Sequence, residues 1–409
     1  MDGITNTYVV MFFFGILFLT LFGLLSIKNI KNVYFYPKPK KFPLVSFLVP
    51  AYNEESSIEN TTRAILAINY PSNKKEIILI NDGSKDNTLR IMKKLQKSFS
   101  QIRILDKKNS GKANSLNEAI AIAKGELIAV VDADSCPAKE SLNRIVGFFE
   151  ENEKVAAVTS RVLVKKDKKL IERFQDLDYV IIAWDRKILD FIDCVYVTNG
   201  PLSVYRKNIV KKVGGFDPKN LTEDIEITWN LLSRGYQTRM SYSAEVYTGI
   251  PDNFNQWNKQ RVRWNLGGLQ TIWKYRKFFF TGKNLFGYFV LQYIAFSFFL
   301  ALVGIILLGR YFFINLRDVA LSIPFYRQGF NPFSAMEFNF SITIITIFGI
   351  IFVLLALVYY KFALKQSNIK NRGLISILTY IFIYRMLYII PLVLSCYKLI
   401  KGDIRWYTK

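Results

Sequence analysis

Acidic residues that follow apolar, strand-like runs are the first feature of this sequence that suits chemistry. Asp132 and Asp134 stand directly after the apolar run 127–131, and Asp82 follows a similar run earlier in the chain. A hard cation held by one or two carboxylates keeps coordination positions open for phosphate oxygens. Asp132 and Asp134 therefore form a candidate Mg²⁺ or Mn²⁺ site. For Asp82, which precedes Gly83, a simple turn is the alternative interpretation.

Two predicted helix starts carry further candidates. The segment 110–114, SGKAN, places a Gly before the first turn and Lys112 within it, an arrangement that suits a phosphate. A plain helix start is the alternative. Later in the chain, Thr222 precedes Glu223 and Asp224 at the start of another helical pattern. Capping accounts for Thr222 and leaves Asp224 available for chemistry, so both interpretations can hold together.

The motif QRVRW lies within the aromatic and basic stretch 255–275. Gln260, Arg263 and Trp264 are spaced at i, i+3 and i+4, which places them on one face of a helix. An Arg on this face could meet a diphosphate, and a Trp could offer a flat surface to a sugar ring. An amphipathic helix that lies at the membrane interface is the alternative for the whole stretch.

The composition limits the catalytic chemistry that is available. The chain has 409 residues and no His, which excludes Ser-His-Asp triads, Cys-His pairs and His-rich zinc sites. A general base must then be Asp, Glu, Lys or Tyr, and a carboxylate suits that role best. The hydrophobic content of 51% excludes intrinsic disorder. Three scattered cysteines do not make a disulfide scaffold: Cys136, Cys194 and Cys396.

Alternating strand and helix patterns between residues 42 and 251 predict how these polar residues are positioned. Apolar β-branched runs predict strands at 45–49, 76–80, 102–105 and 127–131, and helical spacing predicts helices at 56–67, 88–98 and 112–124. This alternation is typical of a parallel sheet with right-handed crossovers. Ligands of such sheets bind beyond the carboxyl ends of the strands. The segments 50–55, 81–86 and 132–134 should therefore meet at one edge.

Long apolar segments near both ends of the chain predict membrane insertion. Residues 8–27 are uncharged and long enough to cross a bilayer. No Lys or Arg precedes them and no small-residue cleavage site follows, which favours a retained anchor over a signal peptide. The basic segment 28–41 then favours the cytoplasmic side for the next domain. Nucleic-acid binding is the alternative for this segment, but the adjacent span favours lipid headgroups and we expect no nucleic-acid partner.

Three further apolar segments predict spans in the C-terminal part, at 286–313, 342–362 and 374–399. The last contains Arg385 and Pro391, so we expect it to be broken, tilted or partly re-entrant. Arg385 is either a functional residue or one whose side chain reaches the interface. Four full crossings place the tail 401–409 outside, whereas its positive charge favours the cytoplasm. We therefore expect that one C-terminal segment does not cross fully.

These patterns predict a multi-pass protein of the plasma membrane with a cytoplasmic α/β domain. The expected parts are an anchor with a basic linker, the α/β domain, amphipathic interface helices and C-terminal membrane helices, at 1–41, 42–251, 252–285 and 286–409. The net charge of +23 is concentrated near the predicted spans, where anionic lipids account for it. The lipid bilayer is thus an expected partner.

The ordered set of motifs resembles the membrane-embedded, processive glycosyltransferases of family 2, whose catalytic domain has the GT-A fold. The resemblance is carried by PAYNEE, NDGSKD, SGKANSLNEA, DAD, NGPLSVYR, TED and QRVRW. Relatives include cellulose, chitin and hyaluronan synthases and bacterial poly-N-acetylglucosamine synthase. The resemblance implies a Rossmann-like, mostly parallel α/β domain with transmembrane and interface helices. It also implies a hexosyltransferase that uses a UDP-sugar donor and Mg²⁺ or Mn²⁺.

The resemblance further implies roles for individual residues. The nucleotide-sugar would be bound by Pro50, Tyr52, Glu54, Asp82, Lys112 and Asp132. The metal would be held by Asp134, as the more direct ligand, and by Asp132. The acceptor terminus would be bound by Asn199, Gly200, Ser203 and Trp264. Four residues would act in catalysis: Asp224, Arg263, Trp264 and Gln260.

The implied reaction is an inverting single displacement. The acceptor hydroxyl attacks the anomeric carbon while Asp224 takes its proton, and Arg263 stabilises the departing UDP. The segment GPLSVYR resembles the acceptor loop of hyaluronan synthase, whereas RVRWNLGG resembles the poly-N-acetylglucosamine type. Both types use UDP-N-acetylglucosamine, which is therefore the expected donor.

The expected product is a polysaccharide that the enzyme lengthens and helps to move across the membrane. An accessory membrane or export subunit is compatible with the resemblance. The alternatives are a hyaluronan-type alternating polymerase and a single-addition transferase that acts on a lipid-phosphate or other membrane acceptor. A sugar-sensing or polymer-transporting protein with an inactive domain is the alternative outside enzymes, and the intact acidic motifs disfavour it.

Overall fold

A computed structural model of the chain describes residues 3–165, 169–282, 285–326, 344–368 and 373–402. Contacts divide the chain into two compact units. One unit, called here the helical unit, contains Met1–Leu24 and Gln292–Lys361. The other, called the α/β unit, contains Leu25–Leu291 and Phe362–Lys409. The predicted division into four consecutive parts stays a prediction.

Eight strands form one sheet in the α/β unit. They are β1 (Val45–Ala51), β2 (Lys75–Asp82), β3 (Ile102–Lys107), β4 (Leu127–Val130), β5 (Cys136–Pro137), β6 (Val155–Val164), β7 (Ser203–Arg206) and β8 (Gln237–Thr248). Their order across the sheet is β3-β2-β1-β4-β7-β6-β8-β5. The first four strands are parallel, and β7 runs antiparallel between β4 and β6. The predicted, mostly parallel sheet is confirmed, and the ends of β1, β2 and β4 lie at one edge.

Helices connect these strands and continue into the apolar parts of the chain. The helices are α1 (Gly3–Asn29), α2 (Ile58–Leu66), α3 (Thr88–Ser98), α4 (Lys112–Ile122), α5 (Asn143–Val146), α6 (Phe148–Glu151), α7 (Leu170–Asp190), α8 (Lys207–Val213), α9 (Glu223–Ser233), α10 (Phe254–Tyr275), α11 (Leu291–Tyr326), α12 (Ile344–Gln366), α13 (Leu374–Thr379), α14 (Arg385–Leu387) and α15 (Ile389–Ile400). The predicted helices at 88–98 and 255–275 match α3 and α10 closely.

Two apolar layers cover the faces of the parallel strands. Successive side chains of β1 alternate between them, since Phe47 packs into one layer and Leu48 into the other. The first layer contains side chains of α2 and α3, such as Ile58. The second contains side chains of α4, α8 and α9, such as Leu116. Because both faces are covered, these strands read as continuous apolar runs, and even the polar end of β2 is buried.

Four helices are long and apolar enough to cross a membrane: Thr5–Asn32, Phe286–Leu321, Ile344–Gln366 and Leu374–Ile400. The four predicted apolar segments are therefore confirmed as helices. In the helical unit, aromatic rings join the first of these helices to the second. The ring of Phe14 lies 4.5 Å from that of Phe296, and Phe18 lies 5.1 Å from Tyr293, measured between centroids.

The last apolar segment belongs to the α/β unit and is not a continuous α-helix. A π-helical turn at Tyr380–Tyr384 separates α13 from the short α14. This break lies directly before Arg385, as the sequence led us to expect. The guanidinium of Arg385 donates a hydrogen bond to the hydroxyl of Tyr380, 2.7 Å away, so this Arg binds within the protein. Residues 403–409, which include most of the basic tail, lie outside the described residues.

Candidate active site

Lys112 joins three segments that are far apart in sequence. It opens α4, and its Nζ lies 2.7 Å from the carboxylate of Asp132, directly beyond β4. The same Nζ lies 2.7 Å from the carboxylate of Glu223, at the start of α9. Lys112 and Asp132 were predicted to share a site. Glu223 was seen only as part of the TED motif, and the structure makes it a direct partner of Lys112.

Gly200 lies against this ion pair. A Cβ atom at this position would stand 2.6 Å from Oδ2 of Asp132 and 2.8 Å from Nζ of Lys112. Contacts this short do not occur between a Cβ and a polar side-chain atom without displacement. The absence of a side chain therefore lets the 199–203 segment approach the charged cluster closely, and its acceptor-binding role stays a prediction.

The neighbouring carboxyls of Asp224 and Glu223 have pKa values shifted in opposite directions. Burial, followed by the charge of Glu223, raises the pKa of Asp224 to about 6, although Lys112 and Arg263 oppose this shift. Burial would also raise the pKa of Glu223, but Lys112 and then Arg263 hold it below its usual value. Glu223 is thus the more acidic of these two neighbouring carboxyls, and the pKa of Asp224 lies at about 6.

The pKa of Asp132 is also raised, first by burial and then by the charge of Asp134, against the opposing charge of Lys112. Two carboxylates therefore repel each other in this part of the site. The described residues contain no group of three or more Asp, Glu, Cys or His that could hold a metal. Two repelling carboxylates with open positions beside them fit Mg²⁺ or Mn²⁺ whose remaining ligands are substrate phosphates and water.

Hydrogen bonds from two small polar side chains orient the carboxylate of Asp134. One of its carboxylate oxygens, Oδ1, accepts hydrogen bonds from Ser135 at 3.0 Å and Thr248 at 3.3 Å. Its other oxygen, Oδ2, lies beside Gly249, where an added Cβ would be 3.9 Å away. Asp134 is half-buried. Its two hydrogen bonds leave Oδ2 for a metal ligand role.

Asp82 is held at the end of β2 by backbone amides. Its carboxylate accepts hydrogen bonds from the amides of Ser110 at 2.9 Å and Gly111 at 3.0 Å. Gly111 has a φ of +87°, which a residue with a side chain rarely adopts. In this structure these two amides bind Asp82, and the phosphate-binding interpretation of this helix start stays a prediction. Asp82 is more than part of a turn, since it fixes the start of α4.

The segment 50–55 lies beside the loop that follows β2. Pro50 stands opposite Ile80 in the register of β1 and β2. The amide of Asn53 donates to the Ser84 hydroxyl at 3.0 Å, and the amide of Glu54 donates to the Thr88 hydroxyl at 2.8 Å. The predicted nucleotide residues Pro50, Tyr52, Glu54 and Asp82 are thus on neighbouring strand ends. No hydrogen bond or ion pair in the described part of the chain joins Tyr52 to Lys112.

Helix α10 carries the QRVRW motif next to α9. The guanidinium of Arg263 donates to the carbonyl of Leu221 at 3.4 Å and attracts the carboxylates of Glu223 and Asp224. A Cβ added at Gly267 would be 2.2 Å from Oγ1 of Thr222, so the two helices meet closely. The predicted helix and the predicted proximity of Arg263 to Asp224 agree with this arrangement.

Thr222 occupies the N-cap position of α9 but does not cap it with its side chain. Its hydroxyl instead donates to Oδ1 of Asn220 at 3.1 Å. The expected capping hydrogen bond is therefore wrong, because the close approach of Gly267 fixes the Thr222 side chain elsewhere. Asp224 remains in the first turn of the helix.

Trp264 lies near an aromatic residue of α7. Its ring lies 6.5 Å from the ring of Tyr179 on α7, measured between centroids. Burial raises the pKa of Tyr179 to about 12, and the charges of Asp134 and Asp132 contribute to this shift. The amide oxygen of Gln260 is buried and has no hydrogen-bond partner among the described residues.

The 199–203 segment is held by a buried arginine that the sequence did not single out. The guanidinium of Arg186 and the hydroxyl of Thr159 both donate to Oδ1 of Asn199. The hydroxyl of Ser203 donates to the backbone carbonyl of Asn199 at 2.7 Å. Within the part of the chain that the structure describes, Nδ2 of Asn199 and Nε of Arg186 are buried and unpartnered. Two donors thus remain available beside the site.

Five charged residues interact in one cluster: Lys112, Asp132, Glu223, Asp224 and Arg263. Residues 43–267 match the family described as glycosyltransferase like family 2. The chain belongs to this family. It is therefore a glycosyltransferase, as the motif pattern indicated.

Two curated proteins show the range of similar glycosyltransferases. The chain is 28% identical over 383 residues to the probable glycosyltransferase YdaM of Bacillus subtilis (strain 168), which covers 90% of this chain and 87% of that protein. It is 32% identical over 241 residues to the poly-beta-1,6-N-acetyl-D-glucosamine synthase of Staphylococcus aureus (strain COL). This second alignment covers 59% of the chain and 58% of that synthase. The chain thus spans little more than half of that relative.

A solved structure confirms the fold of the glycosyltransferase. The mannosyltransferase PcManGT from Pyrobaculum calidifontis, determined in complex with GDP-Man and Mn²⁺, superposes with a TM-score of 0.58 and 19% identity. The superposition covers 92% of this chain and 99% of that one. It supports the predicted GT-A-like architecture. Together with the four apolar helices, the comparisons indicate a membrane glycosyltransferase.

Proposed function

We propose that this glycosyltransferase is a processive, inverting enzyme that polymerises N-acetylglucosamine from UDP-N-acetylglucosamine and helps to move the product across the membrane. The 32% identity to the poly-beta-1,6-N-acetyl-D-glucosamine synthase supports this donor and product. The observation that carries the proposal is the position of Asp224. A carboxyl with a pKa near 6 stands beside a cation, a second acid and the QRVRW helix.

The donor would lie along the ends of β1, β2 and β4. Pro50, Tyr52, Glu54 and Asp82 would contact the uridine. Asp132 and Asp134 would hold Mg²⁺ or Mn²⁺, which when bound would neutralise charge on the diphosphate. On donor binding, Lys112 would exchange part of its contact with Asp132 for a phosphate oxygen, since its Nζ already lies within 2.7 Å of that metal-side acid.

In the reaction, an oxygen of the acceptor attacks the anomeric carbon of the donor sugar. The bond between that carbon and the diphosphate oxygen breaks, and UDP leaves with the electron pair. Asp224 takes the proton of the attacking hydroxyl as general base. Arg263 stabilises the negative charge that develops on UDP, and its attraction to Glu223 keeps it beside the site when UDP is absent.

The acceptor sugar would be held between the 199–203 segment and α10. Trp264 offers its ring for stacking, and Asn199 and Gln260 offer buried polar atoms that have no partner in the described residues. Hydroxyl and acetamide groups of a sugar can bind such atoms. Gly200 and Ser203 keep the segment close to Lys112 and Asp132.

We further propose that the α/β unit is cytoplasmic and that the last apolar segment lies along it without crossing the membrane. Both parts of that segment contact other helices of the same unit. Tyr380 donates to Asp178 on α7 at 2.9 Å, and Ser395 donates to the carbonyl of Val262 on α10 at 3.3 Å. Such an arrangement would place the basic end of the chain on the cytoplasmic side, as the positive-inside rule favours.

Thiol labelling tests this topology. Lys401→Cys, in a chain whose three natural cysteines are replaced by Ser, should react with a membrane-impermeant maleimide in inverted vesicles and not in intact cells. Labelling in intact cells would contradict the proposal and support a fourth crossing.

A donor panel tests the function. The purified full chain is incubated with UDP-N-acetylglucosamine, UDP-glucose, UDP-glucuronate or GDP-mannose, together with Mg²⁺ or Mn²⁺, and UDP or GDP release and product size are measured. We expect release and a long product with UDP-N-acetylglucosamine that a β-1,6-specific hexosaminidase digests. A single added sugar would support the lipid-linked alternative, and a requirement for glucuronate would support the hyaluronan-type alternative.

Asp224→Asn is the companion variant and should release UDP at least about a thousandfold more slowly, because the general base is lost. Asp193→Asn is its matched control. Asp193 is exposed and has a φ of +55°, a conformation that Asn tolerates well. Equal rates in wild type and Asp224→Asn would contradict the assigned mechanism.

A further inference from the structure

Asp178 is a buried carboxylate that none of the family motifs contains. It lies on α7, and its side chain is only 1% exposed. Its Oδ1 accepts a hydrogen bond from the hydroxyl of Tyr380 at 2.9 Å. Its Oδ2 accepts hydrogen bonds from the hydroxyl of Tyr388 at 2.7 Å and from the guanidinium of Arg261 at 3.1 Å. One carboxylate thus joins α7, the last apolar segment and the QRVRW helix.

Arg261 is the member of this group that reaches the candidate active site. Its guanidinium lies 4.0 Å from the centre of the Trp264 ring, and Trp264 is the residue proposed to stack on the acceptor sugar. Nε and Nη1 of Arg261 have no hydrogen-bond partner among the described residues. Aromatic rings surround this guanidinium, and Asp178 is the carboxylate to which it is ion-paired.

A second set of hydrogen bonds keeps the tyrosines in place. The indole of Trp257, one turn before Arg261, donates to the hydroxyl of Tyr384 at 2.9 Å. Arg385 donates to the hydroxyl of Tyr380 at 2.7 Å. The tyrosines stand at i, i+4 and i+8, so the π-helical turn and the helix after it present them to α7 and α10.

We propose that Asp178 is a positioning residue for the acceptor site: it holds Arg261 between α7 and the tyrosines of the last apolar segment, so that Trp264 keeps a fixed position beside the reacting groups. This inference rests on the proposed function, in which Trp264 binds the acceptor. It gives the last apolar segment a role in acceptor binding, which is a different role from anchoring the chain in the membrane.

Stability alone is a weak explanation for this group. A buried ion pair adds little net stability compared with well-packed apolar residues of similar volume, because both charges lose their hydration. An ion pair with several hydrogen bonds fixes the positions of its side chains well. The arrangement also couples the position of Trp264 to that of the last apolar segment, since Tyr380 and Tyr388 bind the same carboxylate as Arg261.

The test separates acceptor positioning from donor use. Asp178→Asn and Tyr388→Phe are compared with Tyr397→Phe, the matched control, which changes an exposed tyrosine of the same segment. Two quantities are measured with UDP-N-acetylglucosamine: UDP released by hydrolysis, and sugar transferred to an N-acetylglucosamine oligosaccharide. We expect Asp178→Asn to raise the ratio of hydrolysis to transfer about tenfold and Tyr388→Phe about threefold, with KM for the donor unchanged. Tyr397→Phe should keep the wild-type ratio.

A spectroscopic readout tests the positioning without relying on catalysis. The chain has six Trp residues, and in protein labelled with 5-fluorotryptophan the ¹⁹F resonance of Trp264 is assigned by its loss in Trp264→Phe. Asp178→Asn and Tyr388→Phe should shift this resonance, and Tyr397→Phe should not. If Asp178→Asn does not fold, Tyr388→Phe, which removes one hydroxyl, decides the question.

The outcomes separate the two proposals. An unshifted Trp264 resonance together with an unchanged ratio in Tyr388→Phe would overturn the role of Asp178. A wild-type protein that releases no UDP from any UDP-sugar would instead overturn the proposed function, and the resonance would then decide the positioning role alone.

Discussion

The two sides of the candidate active site differ in how completely their polar atoms are bound. The strand edge is formed by Asp82, Lys112, Asp132 and Asp134, and each of these side chains has hydrogen-bond or ion-pair partners within the protein. The helix side is formed by Arg186, Asn199, Gln260 and Trp264. In the described part of the chain, the first three of these keep a buried polar atom without a partner.

The two sides therefore differ in how many of their hydrogen bonds are formed before a ligand binds. A buried polar atom without a partner costs about 1–3 kcal/mol. The side chains of the strand edge already have partners within the protein. On the helix side, a polar ligand such as a sugar would supply hydrogen bonds that the described residues do not. We therefore expect substitutions at the strand edge to affect donor use, and substitutions at the helix side to affect acceptor use.

The largest expected effect is at the strand edge. Asp134→Asn should lower kcat/KM for the UDP-sugar by on the order of a thousandfold, because metal-assisted charge neutralisation contributes several kcal/mol. Its melting temperature should not fall, because one of two repelling carboxylates is removed. UDP release at saturating Mg²⁺ or Mn²⁺ measures the effect. Activity within tenfold of the wild type would mean that Asp134 is not a metal ligand.

A second substitution tests the contact between the two sides. Gly200→Ala would place a Cβ 2.6 Å from Asp132 and 2.8 Å from Lys112, so either the 199–203 segment or these two charged side chains must shift. Overpacking of this kind costs about 1–3 kcal/mol, which corresponds to a loss of activity of roughly ten- to a hundredfold. Gly309→Ala is the control, since nothing lies within 4 Å of the Cβ that it would add. An active Gly200→Ala enzyme would show that the close approach is not needed.

The pH dependence of kcat/KM tests Asp224, the proposed general base, which lies between the strand edge and the helix side. Asp224 acts only when deprotonated, and its pKa is raised to about 6, so kcat/KM should be constant above this pH and fall about tenfold per unit below it. Since the charge of Lys112 lowers the pKa of Asp224, Lys112→Met should move the midpoint to higher pH. Initial rates of UDP release between pH 4.5 and 8.5 measure both. A flat profile down to pH 5 would exclude Asp224 as the base.

The strand edge could be predicted from the sequence because local patterns determine it. Each of its acids stands a few residues from a buried strand, and parallel strands bring their carboxyl ends to one edge. Even so, the sequence did not predict that Asp82 accepts hydrogen bonds from the amides of Ser110 and Gly111. A Gly-containing helix start has the same sequence pattern whether it binds a phosphate or a carboxylate.

The helix side was predicted less completely because its contacts join distant residues. The partners of Asp178 lie 83 to 210 positions away along the chain. Arg186 looks like one more residue of an amphipathic helix. Arg261 was visible within QRVRW, but the helical spacing favoured its neighbours Gln260 and Arg263. No local pattern indicates which of two adjacent arginines is buried against an acid.

The smallest expected effect concerns the arginine of the helix side. Arg186 and Thr159 both donate to Oδ1 of Asn199, which fixes the orientation of its amide, and Nδ2 has no partner among the described residues. Arg186→Lys keeps the positive charge but loses the planar set of donors, so the amide can turn. We expect KM for an oligosaccharide acceptor to rise about three- to fivefold, as for the loss of one neutral hydrogen bond, with KM for the donor unchanged.

The matched control for this substitution lies on the same unit. Arg234→Lys changes another Arg that donates to an Asn side chain, at 2.9 Å to Asn230, but it is exposed at the end of α9. It should leave both KM values at the wild-type level. If Arg186→Lys raises KM for the donor and not for the acceptor, the assignment of Asn199 to the acceptor is wrong, and the division between the strand edge and the helix side does not correspond to donor and acceptor.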